Sequence, residues 1–277
     1  MRSHKGERLI KASESKASPH RKAVLFGPSK NGGKTTLAVS AITGDKTGLV
    51  LQYSPGILSV PPMVNPDNVF VQQYDFDADV TNLKSDKWMR TKECAQVMED
   101  IDAIVQGWPK GEITLSGKTI PTPDVVILDD GVLLHDYILA WICFVNGIPD
   151  PADWKQWGKR TQLMISNIRR IMKLPCTAIF TTWETADKDT NGKVTERWPD
   201  VGGKLDYRAV GLADAGLYCY CEKEGQSVKY KVRTRSNGII QGCGVRGMYD
   251  LPETIDVTID KKNPTAPWDR IWQFNEH

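Results

Sequence analysis

Short apolar runs, each followed by polar or glycine-rich residues, recur along the chain. The first run, Ala23–Phe26, is typical of a strand that is buried on both faces of a parallel sheet. Similar runs predict further strands at residues 48–53, 69–73, 125–128 and 177–182. Apolar residues at helical spacing, together with start and stop signals, predict helices at about 34–43, 93–108, 132–145 and 150–174. This alternation predicts an α/β fold with a mostly parallel sheet flanked by helices.

Two other segments have the strict alternation of antiparallel strands. Residues 112–120 alternate around Ser116–Gly117, which predicts a small hairpin inserted before the strand at 125–128. Residues 215–221 and 227–235 predict a late antiparallel strand pair that turns at Glu224–Gly225.

Length and charge placement divide the chain into three parts. Its 277 residues, 40% of them hydrophobic, suffice for one sizeable core. Residues 1–22 carry seven Lys and Arg and only two Glu, without apolar periodicity. We therefore expect a flexible basic arm at 1–21, one ordered domain at 22–250 and a C-terminal tail at 251–277.

The sequence contains no signal for a membrane. The basic leader lacks the apolar segment of a secretory signal, and no run of about 18 apolar residues could span a bilayer. We therefore expect a cytoplasmic protein without a membrane partner.

A phosphate-binding loop is predicted between the first strand and the first helix. Backbone N–H groups of such a glycine-rich turn converge on an anion. Lys34 would reach the β- and γ-phosphates of a nucleoside triphosphate, and the Thr35 hydroxyl would ligate Mg²⁺. The predicted nucleotide contacts are Gly27, Pro28, Ser29, Lys30, Asn31, Gly32, Gly33, Lys34, Thr35 and Thr36.

The spacing of this loop departs from the motif G-x-x-x-x-G-K-[ST]. The motif places its first glycine at position 28, which is proline, and Gly27 lies one residue too early. The loop is therefore either one residue longer than usual, or it makes its first turn without a glycine at that place.

Two carboxylates follow the most apolar strand, 125–128. Asp129 is predicted to hold Mg²⁺, and Asp130 is a candidate to position or deprotonate the attacking water. The alternative is that Asp129-Asp130-Gly131 is only a turn after a strand. The phosphate-binding loop upstream favours the functional interpretation.

Further candidates lie on later strands. Glu184 follows Thr181, Thr182 and Trp183 at the edge where open α/β sheets bind ligands, although these residues could equally pack in the sheet. Arg233 and Arg235 share one face of the late strand with Lys231. They could reach a neighbouring subunit's nucleotide as an arginine finger, or they could form a solvated edge.

The predicted helix at 150–174 combines aromatic and basic residues. Trp154 and Trp157 are interleaved with six Lys and Arg residues, which is a combination found in grooves for single-stranded nucleic acid. The simpler interpretation, which we favour, is an amphipathic helix with a buried apolar face and solvated charges.

Together these pieces resemble the RecA-like P-loop ATPases of bacteriophages and prophages, AAA-domain proteins related to single-strand-annealing recombinases. The matching pieces are 24–29, 33–38, 125–130, 179–184, 199–204 and 231–235. The resemblance implies a RecA-like core, ATP with Mg²⁺, self-assembly into a ring or filament, and single-stranded DNA as a partner. A single-strand-binding protein is a further candidate partner, and a phage-encoded protein would act in the host cytoplasm.

The sequence also departs from this family. RecA-type enzymes place an acidic residue after the second strand, but residues 51–56 contain neither Glu nor Asp. Either Asp130 or Glu184 takes the role of that acidic residue, or hydrolysis is slow. Two alternative functions stay open: a viral DNA-packaging motor ATPase that lacks a nuclease domain, and an ATP-gated DNA clamp or loader with little turnover.

Overall fold

The structure is a computed structural model that describes residues 20–30, 32–54, 60–74, 88–147, 154–201, 206–248, 250–260 and 265–273. The predictions for most of the basic arm, for Asn31 and for a helix start at Asp150–Pro151 fall outside the described residues.

One sheet of ten strands organises the described part of the chain. Its members are β1 (Lys22–Gly27), β2 (Gly48–Gln52), β3 (Val69–Gln73), β6 (Val125–Asp129), β7 (Thr177–Lys188), β8 (Val194–Pro199), β9 (Ala215–Glu224), β10 (Ser227–Arg233), β11 (Gly244–Val245) and β12 (Thr254–Asp256). The order is β12-β10-β9-β1-β7-β6-β2-β3, while β11 pairs with β9 and β8 with β7. The run from β9 to β3 is parallel, and the other pairings are antiparallel.

Helices cover both faces of this sheet. They are α1 (Lys34–Val39), α2 (Trp88–Gly107), α3 (Gly131–Val145), α4 (Trp154–Met172), α5 (Asp206–Gly211) and α6 (Pro267–Trp272). Side chains of a strand alternate between the two faces. Val126 and Leu128 of β6 therefore pack with α2, α3 and α4, whereas Val125 and Ile127 pack in a second core with α1 and α6.

The predicted fold class is confirmed in these features. The sheet is mostly parallel and flanked by helices, and the late pair β9–β10 is antiparallel. The predicted hairpin is β4 (Glu112–Leu115) with β5 (Lys118–Pro121), which form a separate two-stranded sheet.

The strand order brings the candidate residues to one edge of the sheet. β7 lies between β1 and β6, with Leu25 opposite Thr181 and Leu128 opposite Phe180. The carboxyl ends of parallel strands lie at the same edge, so the loop after β1, the carboxylates after β6 and the end of the buried part of β7 meet there.

The segment after residue 250 contributes to the same fold. β12 pairs with β10, with Ile255 opposite Val232. The backbone N–H of Trp268 in α6 donates to Ser40 Oγ at 3.0 Å, directly after α1. The segment that the sequence separates as a tail therefore supplies both an edge strand and a helix.

Two strand boundaries differ from the sequence-based prediction. β7 continues to Lys188 because it forms a hairpin with β8, which the apolar pattern does not show. β10 ends at Arg233, so Arg235 lies beyond the strand, which the sequence extended to residue 235. Directly after the strand, the Thr234 N–H donates to the Glu253 carbonyl and the Thr234 hydroxyl donates to that of Pro252.

Candidate nucleotide-binding and active site

Gly27 is the last residue of β1, where it still pairs with Trp183 of β7, and the glycine-rich loop follows it. The φ of Gly27 is 153°, and an added Cβ would lie 2.1 Å from the carbonyl oxygen of Cys219 in β9, so only glycine fits. The loop ends at Gly33, with a φ of 70°, immediately before α1. Both alternatives left by the spacing stay open.

Lys34 is held against this loop. Its side chain is buried, and Nζ donates to the carbonyl of Pro28 and contacts that of Gly27 at 3.5 Å. Burial lowers the pKa of the ammonium, while the carboxylates of Asp130 and Asp129 act to raise it. The cation thus lies between the loop and the two acidic residues.

Thr35 and Asp129 are in direct contact. The Thr35 hydroxyl donates to the Asp129 carboxylate, at 3.0 Å to Oδ1 and 3.1 Å to Oδ2. The Thr181 hydroxyl of β7 donates to the same carboxylate. Asp129 is only 4% exposed, and burial raises its pKa although both hydroxyl hydrogen bonds act to lower it. The two predicted Mg²⁺ ligands, Thr35 and Asp129, are therefore in contact, and a cation beside Asp129 would offset the cost of burying its charge.

Asp130 has a different environment. Its carboxylate caps the start of α3 by accepting the backbone N–H of Val132 at 3.0 Å. Burial raises its pKa to about 6, and the nearby Asp129 acts in the same direction. Hydrogen bonds from Val132 and from the Trp183 side chain oppose this rise. Asp130 therefore changes protonation close to neutral pH, as suits a proton acceptor.

Glu184 is engaged elsewhere. It forms an ion pair with Arg197 of β8, and its side chain is 15% exposed. Burial raises the pKa of Tyr218, and the neighbouring Glu184 carboxylate raises it further. Glu184 does not line the cleft that opens beside Lys34, whereas Asp130 does.

A cleft of about 810 Å³ opens where these elements meet. Among the predicted site residues, its walls contain Ser29, Lys30, Gly32, Gly33, Lys34, Thr35, Thr36, Asp129 and Asp130. Gly27 and Pro28 do not line the cleft, and their carbonyls contact Lys34 Nζ. The structure thus brings together most of the residues that the sequence predicts for phosphates and Mg²⁺.

Arg233 and Arg235 are not among the described residues that line the cleft. Tyr230 and Val228 of β10 face it, so by alternation Lys231 and Arg233 lie on the opposite face. Arg233 pairs with Glu253. A role as an arginine finger for a neighbouring subunit stays a prediction.

Several lining residues were missed by sequence reasoning. They are Leu37, Ser54, Trp183 (named only as a strand-end residue), Val228, Tyr230, Val257, Thr258, Ile259 and Pro267. A third of the lining residues therefore come from β10 and from the segment after β12. The one available signal was the alternation that places Val228 and Tyr230 on the same face of the late strand.

This fold and this cleft define a P-loop nucleotide-binding protein. The sequence model of the family described as "AAA domain" matches residues 20–239, and the chain belongs to that family. It is thus a P-loop ATPase domain of the AAA type. No curated protein matches the sequence.

Solved structures with a similar outline include two archaeal proteins. One is the flagellar accessory protein FlaH from Methanocaldococcus jannaschii, with 11% identity and a TM-score of 0.45, covering 87% of each chain. Another is the KaiC-like protein PH0186 from Pyrococcus horikoshii OT3, with 11% identity and a TM-score of 0.38, covering 76% of this chain and 78% of that one. In the part of the chain that the structure describes, no helix is long and apolar enough to cross a bilayer.

Proposed function

We propose that this protein binds ATP with Mg²⁺ at the loop of residues 27–36 and hydrolyses it. The observation that carries the proposal is the contact of the Thr35 hydroxyl with Asp129, at 3.0 Å, beside a buried lysine. A hydroxyl and a carboxylate at the end of a buried strand are the donors that Mg²⁺ takes in nucleotide sites. The Asp129 carboxylate fits such a cation because burial penalises its charge. Bound Mg²⁺ would neutralise charge on the phosphates.

Phosphate binding and proton transfer are assigned to different residues of the chain. Lys34 places a cation beside the phosphates, which lowers the cost of bringing their charge into a buried site. Asp130 accepts the proton of the attacking water, because it lines the cleft and has a pKa of about 6. Glu184 is the weaker candidate, since Arg197 neutralises its carboxylate outside the cleft.

We further propose a phage-type protein that acts on single-stranded DNA in recombination, annealing or replication, in the host cytoplasm and as a homo-oligomer. Support comes from three exposed cations of α4, Lys155, Lys159 and Arg169, and from Lys173, which is exposed directly after the helix. Trp157 is 39% exposed on the same helix, and the Arg160 guanidinium stacks 4.1 Å from its ring centroid. Aromatic and basic groups together are suited to single-stranded nucleic acid.

The experiment is phosphate release from Mg²⁺–ATP by the full chain, alone, with single-stranded DNA and with duplex DNA. Lys34→Ala serves as the background control. We expect Lys34-dependent turnover that single-stranded DNA stimulates more than duplex DNA does. Preferential stimulation by duplex DNA, with movement along it, would favour the packaging motor instead. Tight ATP binding without phosphate release would favour the clamp or loader.

A further inference from the structure

The cleft has two chemically different halves. The loop residues, Asp129 and Asp130 line one half, which suits phosphates and a cation. The other half is lined by Val228, Tyr230, Val257, Thr258, Ile259 and Pro267, and none of these described residues is charged. The charged residues suit a triphosphate with its cation, whereas the uncharged half suits an uncharged group of the same ligand.

The apolar half is within reach of a ligand whose phosphates lie at Lys34. Tyr230 packs so closely over the loop that a Cβ added at Gly33 would lie 2.9 Å from its Cδ1 atom. Gly33 directly precedes Lys34 in the chain. The aromatic ring therefore stands beside the phosphate-binding loop.

Backbone pairing holds this wall in place. The N–H of Tyr230 donates to Thr258 Oγ1 at 2.9 Å, and its carbonyl accepts the N–H of Val257 at 2.8 Å. Arg270 of α6 then donates through Nη1 to the Thr258 carbonyl at 2.8 Å. Fixed surfaces of this kind lower the ordering cost of binding.

Val228 adds an exposed apolar side chain to this wall. It is 43% exposed and is one of few large apolar side chains in the described residues that face solvent to that extent. An aromatic ring flanked by aliphatic groups, without charge, favours a flat and uncharged ring system, which stacks on aromatic side chains.

We infer that Tyr230, together with Val228 and the segment Val257–Ile259, forms the binding site for the base of a purine nucleoside triphosphate. This inference rests on the proposed function, because the phosphates must lie at Lys34. It gives the C-terminal segment a direct part in ligand binding. It also predicts a preference for a purine over a pyrimidine, because the larger purine ring system has more surface to stack on Tyr230.

The test compares ATP, CTP and inorganic tripolyphosphate, each with Mg²⁺, in direct binding measurements on the full chain. Stacking of one base is worth roughly 1–3 kcal/mol, so Tyr230→Ala should weaken ATP binding roughly five- to 150-fold. Tripolyphosphate has no base and should bind to Tyr230→Ala as it does to wild type. Tyr230→Phe keeps the ring and should retain ATP affinity. Wild type should prefer ATP to CTP, and Tyr230→Ala should lose most of that preference.

Retained tripolyphosphate binding also shows that Tyr230→Ala is folded. As a second variant, Ile259→Ser should weaken ATP binding in the same direction but by less. The inference is overturned if Tyr230→Ala binds ATP as tightly as wild type, or if it loses ATP and tripolyphosphate equally while Tyr230→Phe does the same. If wild type binds neither ligand, the proposed function falls and the inference falls with it.

Discussion

Replacing Asp130 by Asn should slow phosphate release and raise the free energy of unfolding. Burial raises the pKa of Asp130 from its ordinary 3.8 to about 6. Ionised Asp130 is therefore less favourable in the folded protein than in the unfolded chain. Between these two pKa values the folded protein holds a proton that the unfolded chain has released. The contribution of Asp130 to the free energy of unfolding therefore falls as the pH rises from about 4 to about 6.

The magnitude follows from the same two values. At 1.36 kcal/mol for each tenfold change in proton affinity, the ionised carboxylate costs about 3 kcal/mol at pH 7.5 and about 1 kcal/mol at pH 4.5. Asn cannot ionise, and its side chain can keep the cap at Val132. Asp130→Asn should therefore raise the free energy of unfolding by up to about 3 kcal/mol at pH 7.5, and by much less at pH 4.5.

The same substitution removes the candidate proton acceptor. General base catalysis typically contributes roughly 10²- to 10⁴-fold, so phosphate release should slow by about that factor. In wild type, turnover should fall about tenfold between pH 7 and pH 5 as the carboxylate becomes protonated.

The assay is urea unfolding of wild type and Asp130→Asn at both pH values without nucleotide, together with phosphate release. Asp45→Asn is the control, because Asp45 is exposed on a turn and such substitutions usually change stability by less than about 0.5 kcal/mol. A variant that is no more stable than wild type at pH 7.5, or equally stabilised at both pH values, would refute the burial argument. Unchanged turnover in Asp130→Asn, with Glu184→Gln inactive, would move the base to Glu184.

Three further predictions concern the loop and the assembly. Lys34→Ala should abolish ATP binding in a nucleotide titration while circular dichroism shows an intact fold, because it removes the cation at the phosphates. Gly27→Ala should destabilise the protein by about 2 kcal/mol or more in urea unfolding, since its Cβ would clash with the Cys219 carbonyl; Gly44→Ala, with a positive φ but open space around it, should cost less. If Arg233 is a finger in trans, Arg233→Ala should bind ATP but hydrolyse it poorly, and mixing it with Lys34→Ala should restore part of the rate; no recovery in mixtures would refute the finger.

The polar half of the cleft was predictable because its signals are local. A buried strand, a glycine-rich turn and a lysine at the start of a helix lie within about 15 consecutive residues, so Lys34 and Thr35 could be placed without any knowledge of the fold. Asp129 could be placed because parallel strands end at one edge. The structure places Thr35 and Asp129 in contact, and their role as Mg²⁺ ligands stays a prediction.

The apolar half was not predictable because it depends on distant pairing. Tyr230 faces the cleft only because β10 folds back on β9, and Val257 reaches it only through the pairing of β10 with β12. The three-residue strand β12 has no periodicity that distinguishes it from a loop. The ion pair of Glu184 with Arg197 was likewise not predictable, because nothing in the local sequence identifies Arg197 of β8 as its partner.

The most direct test of the account is calorimetric titration of ATP into wild type and into Asp129→Asn, each with Mg²⁺ and with EDTA. Asn keeps the size of Asp129 but removes the charge that would hold the cation. We predict that Mg²⁺ strengthens ATP binding in wild type and that this gain is lost in Asp129→Asn, while residual binding through Lys34 stays similar in EDTA. Equal affinities in all four titrations, or an undiminished Mg²⁺ effect in the variant, would contradict the assignment of this cleft as a Mg²⁺–nucleotide site.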